Sequence, residues 1–229
     1  MTPSASGWPT RLRNGGALSL ILFGLGATGT VEAQGLATVC RAVSTPTVGQ
    51  WAAYRLSVGS ADRVTGLRSA ITGDERINGT TFVWQQITTT GDVGEVAVRM
   101  LVPGDPYRPT DIRRAIVQLP GQEPLELPPH LVAQFGAEHG TGAAPDPMET
   151  CREGHALDWE MVTVPAGTFR ALRVRHVRDG RTADTWLVPG IPFGQVRTIV
   201  SGASPAERAE VVLTTYGQDP PARPVPRRP

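Results

Sequence analysis

Residues 161–176 read MVTVPAGTFRALRVRH, and a Pro-Ala-Gly break separates two runs in which apolar and polar residues alternate. Pro165 presets φ for the second position of a turn, and Gly167 suits the left-handed position that follows. This chemistry predicts a three-residue hairpin loop with a β-bulge. Beyond the break, Leu172 and Val174 share one face of the run while arginines occupy the other. A period of two with one apolar face predicts a hairpin that packs on a core.

The same alternation recurs through most of the chain. The pair Asn78-Gly79 lies inside one long alternating stretch, residues 66–90, and is the strongest short hairpin signal in the sequence. About ten short strands with turn signals between them predict a mainly β protein built on a curved antiparallel sheet, a half-barrel. The other alternating runs are residues 49–58, 94–103, 112–119, 125–127, 181–189, 194–202 and 207–217.

One segment departs from this alternation. Residues 128–136, PPHLVAQFG, place Leu131, Val132 and Phe135 at helical spacing, with Pro in the first turn and Gly136 as the stop. We expect a short helix here that lies as a lid on the concave face of the sheet, which is the large apolar surface open to it. The Gly- and Pro-rich residues 136–150 are predicted to form a loop beside this lid, near the rim of any cavity.

The first 33 residues are interpreted as a Sec-type signal peptide. Arg11 and Arg13 form a basic start, an uncharged and largely apolar stretch begins at Gly16, and VEA ends at Ala33, where we expect cleavage. The alternative is a retained membrane anchor, although the apolar stretch is shorter than the ~20 residues that a span needs. No later segment approaches spanning length. We therefore predict a periplasmic or secreted protein without a transmembrane span once the signal is removed.

The predicted mature chain holds two cysteines, Cys40 and Cys151. An even pair in an exported protein predicts a disulfide, and the alternative is two buried thiols. A bridge across so long a loop would be worth ~4 kcal/mol on the chain-entropy model.

The C-terminal residues 218–229, QDPPARPVPRRP, are rich in Pro and Arg and offer almost nothing apolar to bury. This composition is typical of a flexible tail. Between leader and tail, residues 34–217 have the size of a single domain. The 22 basic residues are all Arg, the net charge is +1, and no basic stripe with interleaved aromatics occurs. A nucleic-acid partner is therefore not expected.

Motifs for catalysis and cofactors are missing from the sequence. It contains no phosphate loop, no HExxH, no CxxC and no Gly-x-Ser-x-Gly. Cys151 and His155, with His139 upstream, have too common a spacing to indicate zinc, and a disulfide-bonded Cys151 could not bind it. Asp158 and Glu160 share one face of a strand, but nothing in the sequence puts them in a cleft. We predict no catalytic residue, no metal and no cofactor, and a protein that is not an enzyme.

The layout resembles that of a known group of envelope proteins. An exported chain with about ten antiparallel strands and a mid-chain helix is similar to the half-barrel of the periplasmic lipoprotein carriers, the LolA/LolB-like fold. Three stretches further resemble uncharacterised bacterial secreted proteins grouped near that fold: VGQWAAYRL at 48–56, VPAGTFRALRVRH at 164–176 and TWLVPGIPFGQVRT at 185–198.

The resemblance implies a curved sheet with an apolar groove that takes an acyl chain or a similar lipophilic ligand. The function expected is then non-enzymatic binding or carriage of such a ligand in the envelope. The alternative is a structural module with a filled core that binds an envelope protein through its sheet edges or tail. The large side chains that would line the groove, or else fill the core, are Trp51, Tyr54, Phe82, Trp84, Met100, Leu131, Phe135, Trp159, Leu172 and Trp186.

Overall fold

The computed structural model describes residues 29–43, 47–59, 64–92, 94–104, 107–139, 147–178, 180–202, 204 and 207–219. Most of the predicted leader and tail lies outside these residues, so the predicted boundaries of leader, domain and tail stay predictions.

Within this part of the chain, eleven antiparallel strands form one sheet that curves without closing. This confirms the predicted half-barrel class. The strands follow in the order β6-β5-β4-β3-β2-β1-β11-β10-β9-β8-β7, so β6 and β7 are the two edges. The strands are β1 Gln50–Val58, β2 Val64–Ile77, β3 Thr80–Gly91, β4 Gly94–Pro103, β5 Arg114–Gln118, β6 Leu125–Glu126, β7 His155–Val164, β8 Gly167–Arg178, β9 Arg181–Leu187, β10 Gln195–Ser201 and β11 Ala209–Gln218.

Two hairpin turns follow the predicted chemistry. Asn78 and Gly79 both have positive φ, 50° and 83°, as a tight two-residue hairpin turn requires. The Pro-Ala-Gly break is a sheet corner, as expected, but its loop is one residue shorter than predicted. Val164 pairs with Gly167, so residues 165–166 form the loop and Gly167 begins β8.

The curvature has a local cause in four strand pairs. An extra residue on one strand of a pair bends that strand and increases its twist. Such shifts of register occur between Ala53 and Tyr54, Ile71 and Gly73, Ala156 and Trp159, and Gln195 and Arg197.

Two helices that sequence patterns did not predict cover part of the concave face. They are α1, Gly29–Val43, and α3, Pro147–Glu153. Val39 and Val43 of α1 are buried in one cluster with Leu172, Val174 and Leu187 of the sheet. The predicted disulfide is confirmed because Cys40 of α1 is bonded to Cys151 of α3, with their Cα atoms 5.6 Å apart. The bridge fixes the two covering helices to each other.

The predicted helix at 128–136 is present as α2, Pro129–His139, and it extends through Gly136. Its described contacts with the sheet are to β5, next to the β6 edge. Val132 is buried, whereas Leu131 is 40% exposed. Among the described residues, the helices that line the cavity are α1 and α3.

None of the described helices has both the length and the apolar character that a bilayer span requires. The predicted cleavage point after Ala33 falls inside α1, and cleavage there stays a prediction.

Candidate functional site

A cavity of about 250 Å³ lies between the concave face and its cover. Its floor consists of Tyr54, Leu67, Ile87, Met100 and Val211, one residue from each of five neighbouring strands, β1, β2, β3, β4 and β11. Because side chains alternate along a strand, these positions share a face only when the registers match. The pairing of Tyr54 with Leu67 illustrates the match.

The cover of the cavity comes from four other parts of the chain. Val43 ends α1, and Met148 lies in α3 beside Pro147. Tyr107, in the connection after β4, and Phe193, in the connection between β9 and β10, complete the wall. The disulfide between α1 and α3 therefore holds two parts of the cavity wall together.

Phe193 has an unusual backbone conformation for a large residue, with φ at 63°. A residue other than glycine in this region costs ~1–3 kcal/mol and needs support from its surroundings. Two backbone hydrogen bonds give that support: Val188 donates to the Gly194 carbonyl at 2.7 Å, and Gly194 donates to the Ile191 carbonyl at 2.8 Å. The loop thereby keeps an aromatic side chain at the cavity.

One side of the cavity carries a buried polar chain. The Tyr107 hydroxyl donates to Oε1 of Gln85 at 2.7 Å, and Nε2 of Gln85 donates to Oγ of Ser69 at 3.1 Å. All three side chains are buried. Since these groups hydrogen-bond to one another, they add polarity to the wall at little cost in unmade hydrogen bonds.

Two further polar side chains in the wall, Tyr54 and Gln195, are 6% and 7% exposed. Among the described residues neither the Tyr54 hydroxyl nor the Gln195 carboxamide has a hydrogen-bond partner, and neither is sealed from all accessible space. Burial raises the pKa of the Tyr54 hydroxyl, so it stays a neutral donor. All the described residues that line the cavity are neutral.

Two of the ten predicted lining residues, Tyr54 and Met100, line this cavity. Leu172 is buried on the same side of the sheet but packs against α1. Leu131 is half-exposed on α2, and the side chain of Phe135 lies outside the described part of the chain. Trp159, 39% exposed, has the guanidinium of Arg170 over its ring at 5.0 Å.

The other predicted aromatics do not line the cavity and lie beneath arginines. Trp84 has two guanidinium groups over its ring at 5.2 Å, those of Arg99 and Arg114, and its Nε1 donates to Glu75 at 2.8 Å. Phe82 lies in the same cluster. Cation–π contacts of this kind stabilise aromatics that would otherwise face water.

Trp186 repeats this arrangement on the other half of the sheet. It lies between Arg173 and Arg197, at 5.2 and 5.3 Å, and its Nε1 donates to Glu160 at 3.0 Å. Trp51 stacks under Arg68 at 4.8 Å. Arginines alternate with core residues along these strands, and this alternation is the sequence signal for the arginine–aromatic contacts.

A group of metal-ligating residues occurs where α3 meets β8. Glu149, Glu153 and His176 bring one ligand atom each within 4.8 Å of the others. Glu149 is ion-paired with Arg178, and Oε2 of Glu153 lies 3.3 Å from Nε2 of His176. Because each carboxylate already has a partner, we interpret the group as a set of polar contacts that fix α3 to the sheet.

Comparison with protein-family models finds no match, and comparison with curated protein sequences finds none either.

Comparison with solved structures finds several similar chains at low sequence identity. A protein of Parabacteroides distasonis described as a lipoprotein has a TM-score of 0.40 at 12% identity, over 76% of this chain and 98% of that one. A DUF1329 family protein of Desulfovibrio piger has a TM-score of 0.39 at 12% identity, over 82% and 92%. A chain of the Pseudomonas aeruginosa MucA/MucB complex has a TM-score of 0.46 at 9% identity, over 85% and 59%.

Proposed function

We propose that this protein binds or carries a lipophilic ligand in the cell envelope, with the apolar part of the ligand in the cavity beneath α1 and α3. The observation that carries the proposal is the cavity itself, whose floor and cover are mostly aliphatic, aromatic and thioether side chains. Burial of an apolar ligand group against such walls is favourable at ~25 cal/mol per Å².

The size of the cavity limits the ligand. An apolar cavity of ~150 Å³ in a protein interior accepts benzene, and pockets for drug-sized ligands measure ~300–1,000 Å³. At about 250 Å³ the cavity lies between these sizes. We infer a ligand with one short tail or a small ring system in the cavity, rather than a lipid that buries several acyl chains there.

The compartment is part of the same proposal. The disulfide between Cys40 and Cys151 suits an oxidising environment such as the periplasm. We propose that the full chain is exported through its predicted signal peptide and acts in the periplasm or outside the cell.

The test is uptake of the neutral dye N-phenyl-1-naphthylamine, whose fluorescence rises in apolar surroundings. The full chain is expressed with its own leader and purified from the periplasmic fraction. We expect saturable uptake by this protein and loss of uptake in Val211→Phe, which places a ring on the cavity floor. Val177→Phe makes the same change at a position that is 61% exposed and should bind like the unmodified protein.

The carrier proposal would be excluded by two results together. The unmodified protein would take up no dye, and native mass spectrometry would find no co-purifying small molecule. Equal uptake by both variants would place binding outside the cavity.

One observation favours the alternative of a protein-interaction module. β7 is an edge strand, and its Met161 is 68% exposed, next to the half-exposed Trp159. Edge strands with apolar side chains readily pair with other chains. If this module is the function, Met161→Glu should abolish capture of an envelope protein in cross-linking experiments and leave dye uptake unchanged.

A further inference from the structure

Two polar groups of the cavity wall, which have no partner among the described residues, indicate that the ligand carries a polar group of its own. A buried donor or acceptor without a partner costs ~1–3 kcal/mol. The Tyr54 hydroxyl and the Gln195 carboxamide line the cavity without a partner among the described residues, and both reach accessible space, so an apolar ligand that covered them would incur this cost. A ligand whose polar group bonds to them would avoid that cost, whereas a purely apolar ligand would not.

The sheet places the two groups within reach of one ligand. Tyr54 pairs with Leu213 of β11, and the preceding residue of β11, Val212, pairs with Arg197 of β10. Gln195 begins β10. The two side chains therefore belong to strands on either side of β11, whose main chains are about 10 Å apart, two strand spacings. Both side chains are long enough to approach a group that lies between them.

The charge of the cavity restricts that group. The described lining residues include no Arg, Asp, Glu or His. An ionised carboxylate or phosphate in such surroundings would lose its hydration without gaining a counter-charge, which is costly. A hydroxyl, ester or amide group carries no charge and therefore avoids this cost. It can accept a hydrogen bond from the Tyr54 hydroxyl, and the Gln195 carboxamide can both donate and accept.

We propose that the ligand is a neutral single-tailed amphiphile whose hydroxyl, ester or amide group is bound by Tyr54 and Gln195, and that the site selects against lipids with an anionic head. This inference rests on the proposed function and specifies its ligand class.

The experiment compares 1-dodecanol with dodecanoate, which carry the same alkyl chain on different heads, as competitors of N-phenyl-1-naphthylamine. At neutral pH we expect dodecanol to displace the dye at a concentration at least about tenfold lower than dodecanoate does. Below the pKa of dodecanoic acid the neutral acid should approach the alcohol.

Two near-isosteric variants test the residues. Tyr54→Phe and Gln195→Met each remove a polar group, and we expect each to lower the ratio of dodecanol affinity to dye affinity by about three- to tenfold. Tyr216→Phe removes a hydroxyl from a half-exposed tyrosine that does not line the cavity, and its ratio should equal that of the unmodified protein.

The outcomes separate this inference from the proposed function. The head-group selectivity is overturned if the protein takes up the dye and dodecanoate competes as strongly as dodecanol. It is also overturned if both variants keep the dodecanol-to-dye affinity ratio of the unmodified protein. In either case the proposed binding function still holds. Absence of dye uptake overturns the proposed function itself.

Discussion

The main chain of Gly194 lies directly against the side chain of Val43. A Cβ placed on Gly194 would be 2.1 Å from Cγ2 of Val43, far inside van der Waals contact. Gly194 belongs to the loop that carries Phe193, and Val43 is the last residue of α1. Because Val43 and Phe193 both line the cavity, this contact fixes how closely loop and helix approach one another.

We expect Gly194→Ala to destabilise the protein by about 2–4 kcal/mol. The new Cβ would add an overpacking cost to the cost of a positive φ, which is 69° at this residue. Urea unfolding measures the change. In a Val43→Ala background the cost should fall, since the closest side-chain atom is gone.

Gly190 is the matched control for that prediction. It lies in the same loop with φ at 84°, and no atom stands within 4 Å of a Cβ built on it. Gly190→Ala should therefore show the backbone cost alone, about 1–2 kcal/mol. Equal losses of stability in the two variants would mean that Val43 moves away from the new Cβ at no cost in free energy.

The disulfide gives the second prediction. Cys40 and Cys151 are 111 residues apart, and a crosslink over that length is worth about 4–5 kcal/mol on the chain-entropy model. The double variant Cys40→Ser with Cys151→Ser should lose about that much stability in urea. Reductant should destabilise the unmodified protein and leave the double variant unchanged. A loss below about 1 kcal/mol would show that α1 and α3 are held in place by packing alone.

Local signals were enough to predict the sheet from the sequence. Asn78-Gly79 specifies a tight turn through its own φ preferences, and period-two runs specify strands without reference to distant residues. The disulfide also followed from the number of cysteines and the expected compartment. These features depend on a few neighbouring residues or on counting.

The concave face could not be identified in the same way. Trp186 and Leu187 are consecutive in β9, both are buried, and they face opposite sides of the sheet. A strand that is apolar on both faces does not reveal which face encloses the cavity, so the larger side chain was expected inside. Trp186 instead lies between Arg173 and Arg197.

The cover of the cavity was also missed, although a signal was present. Leu36, Val39 and Val43 stand at helical spacing on α1, directly after the predicted leader. Their partners on the sheet and on α3 are more than a hundred residues away, as the 111-residue separation of the cysteines shows. Spacing predicts a helix, but it does not tell which surface the helix covers.

A third prediction concerns the ion pairs of Asp184 with Arg173 and Arg175. Asp184 accepts from Nε of Arg175 at 2.7 Å and from a guanidinium nitrogen of Arg173 at 2.6 Å. These hydrogen bonds hold the pKa of Asp184 below its usual value, and the bond from Arg175 lowers the pKa more than the bond from Arg173 does. Asp184→Asn should lower the free energy of unfolding by about 1–2 kcal/mol near neutral pH.

The pH dependence of that loss follows from the direction of the pKa shift. A carboxyl with a depressed folded-state pKa contributes its stability above its unfolded pKa, about 4, and loses it as pH falls through the folded value. The gap between the unmodified protein and Asp184→Asn should therefore close below about pH 4. Glu126→Gln, at the exposed pair with Arg114, is the control and should change stability little at any pH. A gap that is constant with pH would exclude ionic stabilisation by Asp184.

The last prediction tests the buried polar chain of the cavity wall. Tyr107→Phe removes the donor to Oε1 of Gln85 and leaves that buried oxygen without this bond, which should cost about 1–3 kcal/mol. Gln85→Met removes the acceptor and the bond to Ser69 together. Because the two groups share one hydrogen bond, the double variant should lose less stability than the sum of the single losses, by about 0.5–3 kcal/mol in a cycle measured by urea unfolding. Additive losses would show that the Tyr107–Gln85 bond contributes nothing to the folded state.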